Sequence, residues 1–193
     1  MNIFAEKMDK IKLNKAISEI SKIKSKNGIY TLVSNPEDYH VVNQEVIRFF
    51  TKKLNYSGIY IALNSSHCDL VRKFKSAKIN VNSLLFIDNV EEGKGCGAKN
   101  AVFLGGSKSL TELSIAISEA AKNKAIKFVF FDSVTTLLIY NTLDITEKFV
   151  HYFTNKMRNL DINLVIIVAI KEQKTNKLLP ILSQFCDKCI VLE

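Results

Sequence analysis

Residues 127–133 read KFVFFDS, and this short run is the clearest indication of the fold. Four consecutive apolar residues follow Lys127 and lead to Asp132 and Ser133. A continuous apolar run is typical of a strand that is covered on both faces, as the strands of parallel sheets are. The run therefore predicts a buried strand that carries a carboxylate at its carboxyl end. The same aspartate could instead be an ordinary cap of the segment that follows.

Strand-like apolar runs alternate with helical patterns along the rest of the chain. Strands are predicted at 29–33, 58–63, 84–90, 101–106, 127–133, 162–170 and the closing KCIVLE, and helices at 36–54, 65–77, 110–125, 144–158 and 177–185. Such alternation indicates a mostly parallel sheet with right-handed crossovers and helices on both faces. The predicted class is α/β, and the pattern does not predict the strand order.

The composition fits one packed domain with an appendage. Of the 193 residues, 47% are hydrophobic and 24% are charged, as in ordinary soluble proteins. No apolar run reaches the roughly 18 residues that a membrane helix needs, and the N-terminus has no signal-peptide core. The four cysteines are scattered in a chain that is long enough to fold without disulfides. We therefore expect a cytoplasmic protein.

The N-terminal segment carries half of the formal net charge of +8, because its first 26 residues hold seven lysines and three acids. Apolar residues at helical spacing predict an amphipathic helix over 4–24, which divides the chain into a basic helix (1–27) and an α/β domain (28–193). The apolar side could pack on the sheet or on a neighbouring subunit, and the lysines could bind a membrane or nucleic acid. No aromatic side chains interleave with the lysines, which argues against nucleic acid and favours packing.

Polar pairs follow four of the predicted strands. In parallel α/β sheets, ligands bind at the carboxyl ends of the strands. The turns of interest are therefore Ser34–Asn35, Asn64–Ser65, Asp88–Asn89 and Asp132–Ser133. Asp88 leads into a loop and is interpreted as a turn residue.

Three segments, taken in order, resemble the KaiC-like branch of the RecA ATPase superfamily. FVFFDSVTTLLIYN (128–141) looks like its Walker B strand, GIYIALNSSHCDLVRKF (58–74) like its second core strand and helix, and SQFCDKCIVLE (183–193) like its closing segment. The resemblance implies a RecA-like three-layer sandwich in which Asp132 would hold Mg²⁺ directly or through water. In particular, the chain resembles archaeal members that are regarded as inactivated ATPases with a suspected signalling role.

The first turn departs from the family's phosphate-loop pattern, G-x-x-x-x-G-K-[ST]. Residues 34–43 read SNPEDYHVVN and contain neither the glycines that let amides close on phosphates nor the lysine that neutralises them. Pro36 lacks an amide donor, and Glu37 and Asp38 occupy the positive end of the helix dipole. We expect Ser34 or Asn35 to cap the first turn of the helix.

The second turn departs as well. Asn64 and Ser65 stand where the family has paired glutamates, and neither side chain is an effective general base. The resemblance thus predicts a degenerate nucleotide site without catalytic residues, made of Ser34, Asn35, Pro36, Glu37, Asp38, Asn64, Ser65, Asp132 and Ser133. ATP hydrolysis is not expected, and these departures argue against ATP or Mg²⁺ as a cofactor.

A glycine turn that feeds the helix at 110–125 is a possible anion site. It comprises Gly105, Gly106, Ser107, Ser109 and Thr111. Such a helix start can bind an anion, but it is more often an ordinary N-cap. The lone CxxC of Cys186 and Cys189 has no further zinc ligands at suitable spacing, so no metal site is predicted.

Three functions remain open. The favoured one is a non-catalytic, RecA/KaiC-like pseudo-ATPase that regulates or signals through protein contacts, either by self-association or with an active RecA-family relative. The second is a sensor that binds a nucleotide or another anion at the strand carboxyl ends without hydrolysis. The third is a basic accessory protein of nucleic acids.

Overall fold

The computed structural model describes residues 10–22, 28–90, 99–105, 109–170 and 173–192. Its strands are β1 Ile29–Ser34, β2 Ser57–Ala62, β3 Leu84–Asp88, β4 Ala101–Phe103, β5 Ile126–Asp132, β6 Asn163–Ala169 and β7 Lys188–Leu192. Its helices are α1 Lys10–Lys22, α2 Tyr39–Arg48, α3 His67–Ser76, α4 Leu110–Ala121, α5 Val134–Tyr140, α6 Leu143–Asn159 and α7 Gln173–Phe185. A π-helical turn, Phe49–Lys53, extends α2, and a 3₁₀ turn, Val81–Ser83, precedes β3.

The strands of the described residues form one sheet in the order β4-β3-β2-β5-β6-β1-β7. Every neighbouring pair is parallel. The predicted α/β class with a parallel sheet is thereby confirmed. The strand order, which the sequence did not predict, places β5 and β2 side by side near the middle.

Two hydrophobic clusters cover the two faces of the sheet. One contains buried side chains of α1, α2 and α3, and the other contains buried side chains of α4, α5, α6 and α7. The side chains of β5 alternate between them: Phe128 and Phe130 belong to the first cluster, and Val129 and Phe131 to the second. The result is the three-layer sandwich that the resemblance implied.

Helix α1 packs on the same face as α2 and α3. Leu13 and Ile20 are buried there, and Lys188 of β7 forms an ion pair with Glu19. The apolar side of the basic helix thus faces the sheet, as the favoured interpretation predicted for these residues. Residues 1–9 and 23–27, which complete the predicted helix segment, lie outside the described residues. None of the described helices is long and apolar enough to cross a membrane.

The start of α2 differs from the prediction. The helix begins at Tyr39 and not at Pro36, and the N-cap residue Asp38 makes no capping hydrogen bond with its side chain. Ser34 is the last residue of β1, and its hydroxyl donates to the carbonyl of Asn35 at 3.0 Å. The expected capping by Ser34 or Asn35 is therefore wrong. Ser34 still belongs to β1, so its side chain lies at the end of the strand and does not cap α2.

Helix α5 was not predicted. Its sequence, VTTLLIY, is rich in β-branched and apolar residues that do not favour a helix on their own. Val134 and Leu137 are buried in the second cluster, so tertiary packing stabilises this short helix.

Candidate functional site

Asp132 ends the central strand β5, and its carboxylate is almost entirely enclosed, with 2% of the residue exposed. Because side chains alternate along a strand, it points to the same face as Phe128 and Phe130, toward α2. There the hydroxyl of Tyr39 donates to Oδ1 of Asp132, and the hydroxyl of Tyr60 donates to Oδ2. The amide of Asn43 lies 3.3 Å from Oδ2. Both carboxylate oxygens are thus occupied by side chains of the protein.

Asn64 closes the cluster from the end of β2. Its Nδ2 lies 3.4 Å from Oδ1 of Asp132, 3.3 Å from the hydroxyl of Tyr39 and 3.1 Å from the hydroxyl of Ser133. Its own Oδ1 accepts a hydrogen bond from the hydroxyl of Thr136 in α5. Asn64 stands where the family has a glutamate that activates water. All the polar atoms of its side chain make hydrogen bonds within the protein. We call Tyr39, Asn43, Tyr60, Asn64 and Asp132 the Asp132 cluster.

Burial decides the protonation of this site. Desolvation raises the pKa of Asp132 to about 8, because a carboxylate loses its hydration when it is enclosed. At neutral pH the carboxyl is therefore mostly protonated, so one of its oxygens carries a hydrogen and itself donates to a neighbouring tyrosine hydroxyl. Burial also raises the pKa of Tyr60 above its ordinary value, so its hydroxyl remains a donor.

The turn after β1 lies outside this cluster. Asn35, Pro36 and Glu37 are exposed, whereas Tyr39, the next buried residue, extends from the helix start to Asp132. Of the predicted site residues, Asp132, Ser133 and Asn64 are brought together. No hydrogen bond among the described residues joins the cluster to the remaining ones, Ser34, Asn35, Pro36, Glu37, Asp38 and Ser65.

Sequence reasoning did not identify Tyr39, Asn43 and Tyr60 as site residues. Tyr39 and Asn43 are four positions apart and therefore share one side of α2, the side that is buried. An asparagine on an otherwise apolar helix face was the one available signal, since buried polar groups need partners. Tyr60 lies in the middle of a buried strand and was indistinguishable from a core aromatic.

Comparisons with known proteins agree with this fold. A family model described as "ATPase: KaiC" matches residues 47–193, about three quarters of the chain. The chain belongs to the KaiC ATPase family. Among solved structures, a KaiC-like protein from the hyperthermophilic archaeon Pyrococcus horikoshii OT3 is similar, with a TM-score of 0.62 and 10% sequence identity. That match covers 85% of this chain and 70% of the other, and at this identity it shows the fold alone. A search of curated proteins finds no match.

The match to the KaiC family begins within α2, at residue 47. It includes β2, β5 and the Asp132 end of the site, and it leaves out β1 and the turn that follows it. The part of the chain that matches the family is therefore the part that retains the strand-end aspartate.

The glycine turn of this KaiC-family chain is only partly described. Gly105 has a left-handed backbone conformation, with φ of 61°, whereas Gly106 and Ser107 lie outside the described residues. The hydroxyl of Ser109 accepts a hydrogen bond from the amide of Glu112 at 3.2 Å, and Thr111 is exposed. Ser109 is thus the N-cap of α4. This is the ordinary role that the sequence favoured over anion binding for this turn.

Three of the four cysteines lie within the described residues. Cys186 and Cys189 are free and half-buried, and burial raises the pKa of both thiols. Cys68 is disulfide-bonded, which the expectation of a chain without disulfides did not include. Across the described ranges, no group of three or more histidine, cysteine or acidic side chains could hold a metal ion.

Proposed function

We propose that this KaiC-family chain is a non-catalytic pseudo-ATPase, which regulates or signals through contacts with other proteins. The observation that carries the proposal is the Asp132 cluster. A Walker B carboxylate must reach Mg²⁺ or its water ligands. Here hydroxyl and amide groups from α2 and β2 occupy both oxygens of the carboxyl group.

The protonation state of Asp132 supports the same conclusion. Magnesium binds oxygen ligands and prefers ionised carboxylates. With a pKa of about 8, the carboxyl of Asp132 is mostly neutral at pH 7. A metal ion would have to displace the tyrosines and also remove a proton.

The turn after β1 offers little to a triphosphate. It contains no glycine and no lysine, and Glu37 and Asp38 immediately precede α2. Because anions are attracted to helix starts by free amides and positive potential, these two carboxylates oppose phosphate binding. Asn64 is held by the network and cannot act as a base toward water.

A role in protein contacts is supported by exposed apolar side chains where α5 ends and α6 begins. Ile139, Tyr140 and Ile145 are 71%, 56% and 44% exposed. Apolar side chains that lie close together on a surface often mark sites of protein association. A second copy of the chain or an active RecA-family relative would fit this role.

The proposal is tested by thermal unfolding of the full chain with ATP or ADP, each with and without Mg²⁺, and without nucleotide. A nucleotide present at a hundred times its dissociation constant would add about 2.7 kcal/mol of stability. For a chain of this size, that is a rise in Tm of about 5–10 °C. We expect Tm to change by less than about 1 °C, and no phosphate release in a parallel hydrolysis assay.

The variant Asp132→Asn gives the matched control. A Mg²⁺-dependent rise in Tm that disappears in this variant would show a working nucleotide site and would refute the proposal. A rise that needs no Mg²⁺ and persists in Asp132→Asn would instead support the anion-sensor alternative. Co-purification from the native host tests the protein contacts, for which we expect a stable complex.

A further inference from the structure

Large apolar side chains are exposed mainly on one helical layer of the sandwich. Ile115 of α4 and Tyr152 of α6 are 57% and 50% exposed, and the exposed side chains where α5 meets α6 lie on the same layer. On the opposite layer, Val41 is the only large apolar side chain of α2 and α3 that is exposed. Apolar side chains that lie together on one surface often mark a site of protein association.

Helices α4 and α6 lie side by side and run in the same direction, because each connects two strands of a parallel sheet. Nζ of Lys156 in α6 donates to the hydroxyl of Ser118 in α4 and, at 3.0 Å, to the hydroxyl of Tyr152. The same ammonium group lies 5.3 Å from the centre of the Tyr152 ring. These contacts place Tyr152 and Ser118 at the same level along the two helices.

Each of the two helices presents one apolar side chain between two charges of one sign. The residues are Glu112, Ile115 and Glu119 on α4 and Lys148, Tyr152 and Lys156 on α6, and we call them the α4–α6 face. Successive members of each set are three or four positions apart, so they share one side of their helix. The α4 half of this face is acidic, and the α6 half is basic.

The charges of the α4–α6 face are available to a partner. Glu112 and Lys156 make no ion pair within the part of the chain that the structure describes. Glu119 pairs with Lys122, and Lys148 pairs with an aspartate one turn before it, but all four side chains are well exposed. Such exposed pairs contribute little free energy, so their members can exchange partners.

A second copy of the chain matches this face by symmetry. A two-fold axis along the line between α4 and α6 brings α4 of one copy over α6 of the other without changing the level along the helices. Since Ser118 and Tyr152 share a level, Ile115, one turn from Ser118, meets the ring of Tyr152 in the other copy. The two glutamates then lie opposite the two lysines. Every contact forms twice, as in a closed dimer.

We propose that the α4–α6 face binds a second copy of this chain and forms a two-fold symmetric dimer. In the dimer, Ile115 of each copy packs against Tyr152 of the other, between paired acidic and basic side chains. A second copy is favoured as the partner because one chain supplies both the acidic and the basic half at matching levels. The dimer specifies the partner for the protein contacts of the proposed function, and it rests on that function for its role.

The test is sedimentation velocity of the full chain over a range of concentrations. We expect a reversible change from the mass of one chain to twice that mass, with a dissociation constant of about 1–100 µM, as in small transient interfaces.

A matched pair of variants locates the interface. Ile115→Asp adds a carboxylate to the apolar centre of the acidic half, so we expect the dimer to dissociate at least about tenfold more readily. Val41→Asp makes the same kind of change on the opposite layer and should leave the dissociation constant unchanged. Both positions are exposed, so both variants should unfold near the Tm of the wild type.

A reversal of charge tests the pairing of α4 with α6. Glu112→Lys alone places a lysine opposite Lys148 of the other copy, so we expect dissociation to become about threefold easier or more at low salt. Adding Lys148→Glu restores opposite charges across the interface. The double variant should therefore dimerise within about twofold of the wild type.

A wild type that stays monomeric at about 500 µM would overturn the proposal. So would an equal effect of Ile115→Asp and Val41→Asp, or a double variant that dimerises no better than Glu112→Lys. None of these outcomes concerns the response to ATP and Mg²⁺, so failure of the dimer and failure of the pseudo-ATPase proposal are distinguishable.

Discussion

Asp88 and Asp132 end two strands that have only β2 between them, and both carboxylates are buried, yet they are held in different ways. Asp88 accepts hydrogen bonds from the backbone amides of His67 at 2.6 Å and Val90 at 2.7 Å. The carboxyl group of Asp132 accepts hydrogen bonds from the side chains of Tyr39, Asn43 and Tyr60. Asp88 thus ties the start of α3 and the turn after β3 to the sheet. Asp132 is held by groups that other residues could replace.

The difference separates a carboxylate that is held by the backbone from one that is held by side chains. Backbone amides are present whatever the sequence, so an aspartate that binds them serves the fold. Side-chain donors exist only where particular residues supply them. The tyrosines and asparagine around Asp132 therefore occupy the space and the hydrogen bonds that a metal ion with its water would otherwise need.

Replacing Asp88 should have the largest effect. Asp88→Ala leaves the amides of His67 and Val90 without their acceptor, so we expect the free energy of unfolding to fall by roughly 2–5 kcal/mol. Urea denaturation followed by circular dichroism measures it. Glu119→Ala, which removes an exposed partner of Lys122, is the control and should cost no more than about 0.5 kcal/mol. A loss of similar size in both variants would show that the amide contacts of Asp88 contribute little.

The second largest effect is expected for the way in which Asp132 makes the free energy of unfolding depend on pH. Its pKa is about 8 in the folded chain and about 3.9 in an unfolded one. The folded state binds more protons between these values, so its stabilising contribution is complete below pH 4 and is lost as pH rises through 8. We expect Asp132→Asn to be close to the wild type in stability at pH 5 and more stable by about 2 kcal/mol or more at pH 9.

Denaturation of both proteins at several pH values measures this difference, in which the other titrating groups cancel. A stability difference that stays constant from pH 5 to pH 9 would mean that Asp132 is ionised throughout. It would also contradict the protonation state given to Asp132 above.

The hydroxyl of Tyr39 should have the smallest effect. Tyr39→Phe keeps the ring and removes one donor to Asp132, so we expect a loss of about 1 kcal/mol at pH 6. Tyr56→Phe is the matched control, because the ring of Tyr56 contacts Phe50 and its hydroxyl makes no hydrogen bond among the described residues. Equal unfolding midpoints for the two variants would contradict the role given to Tyr39.

The sequence predicted the sheet better than the site, and the reason is physical. Buried strands such as β5 consist of continuous apolar runs, which are visible in any short window. The Asp132 cluster joins residues as far apart as Tyr39 and Asp132, 93 positions along the chain, and no local pattern records that distance. Helix α5 was missed because its residues favour a strand locally and become helical through packing on α6 and the sheet.

The start of α2 shows a second reason why the prediction from sequence differs from the structure. Pro36 after Ser34 and Asn35 is a common helix opening, so local rules placed the helix too early. In the structure, Ser34 remains in β1, and four more residues follow it before Tyr39 turns its ring toward the interior. A tertiary contact thus set the boundary that local preferences had placed elsewhere.

The position of Tyr39 also bears on which changes a nucleotide site would require here. A glycine-rich loop with a lysine, introduced alone after β1, would still meet an aspartate whose oxygens are held by Tyr39 and Tyr60. Removing a tyrosine alone would leave a buried carboxyl group with fewer partners and no ligand, which costs stability. Each single step is therefore unfavourable or without benefit. Under the pseudo-ATPase proposal, no single one of these changes would give the site nucleotide chemistry.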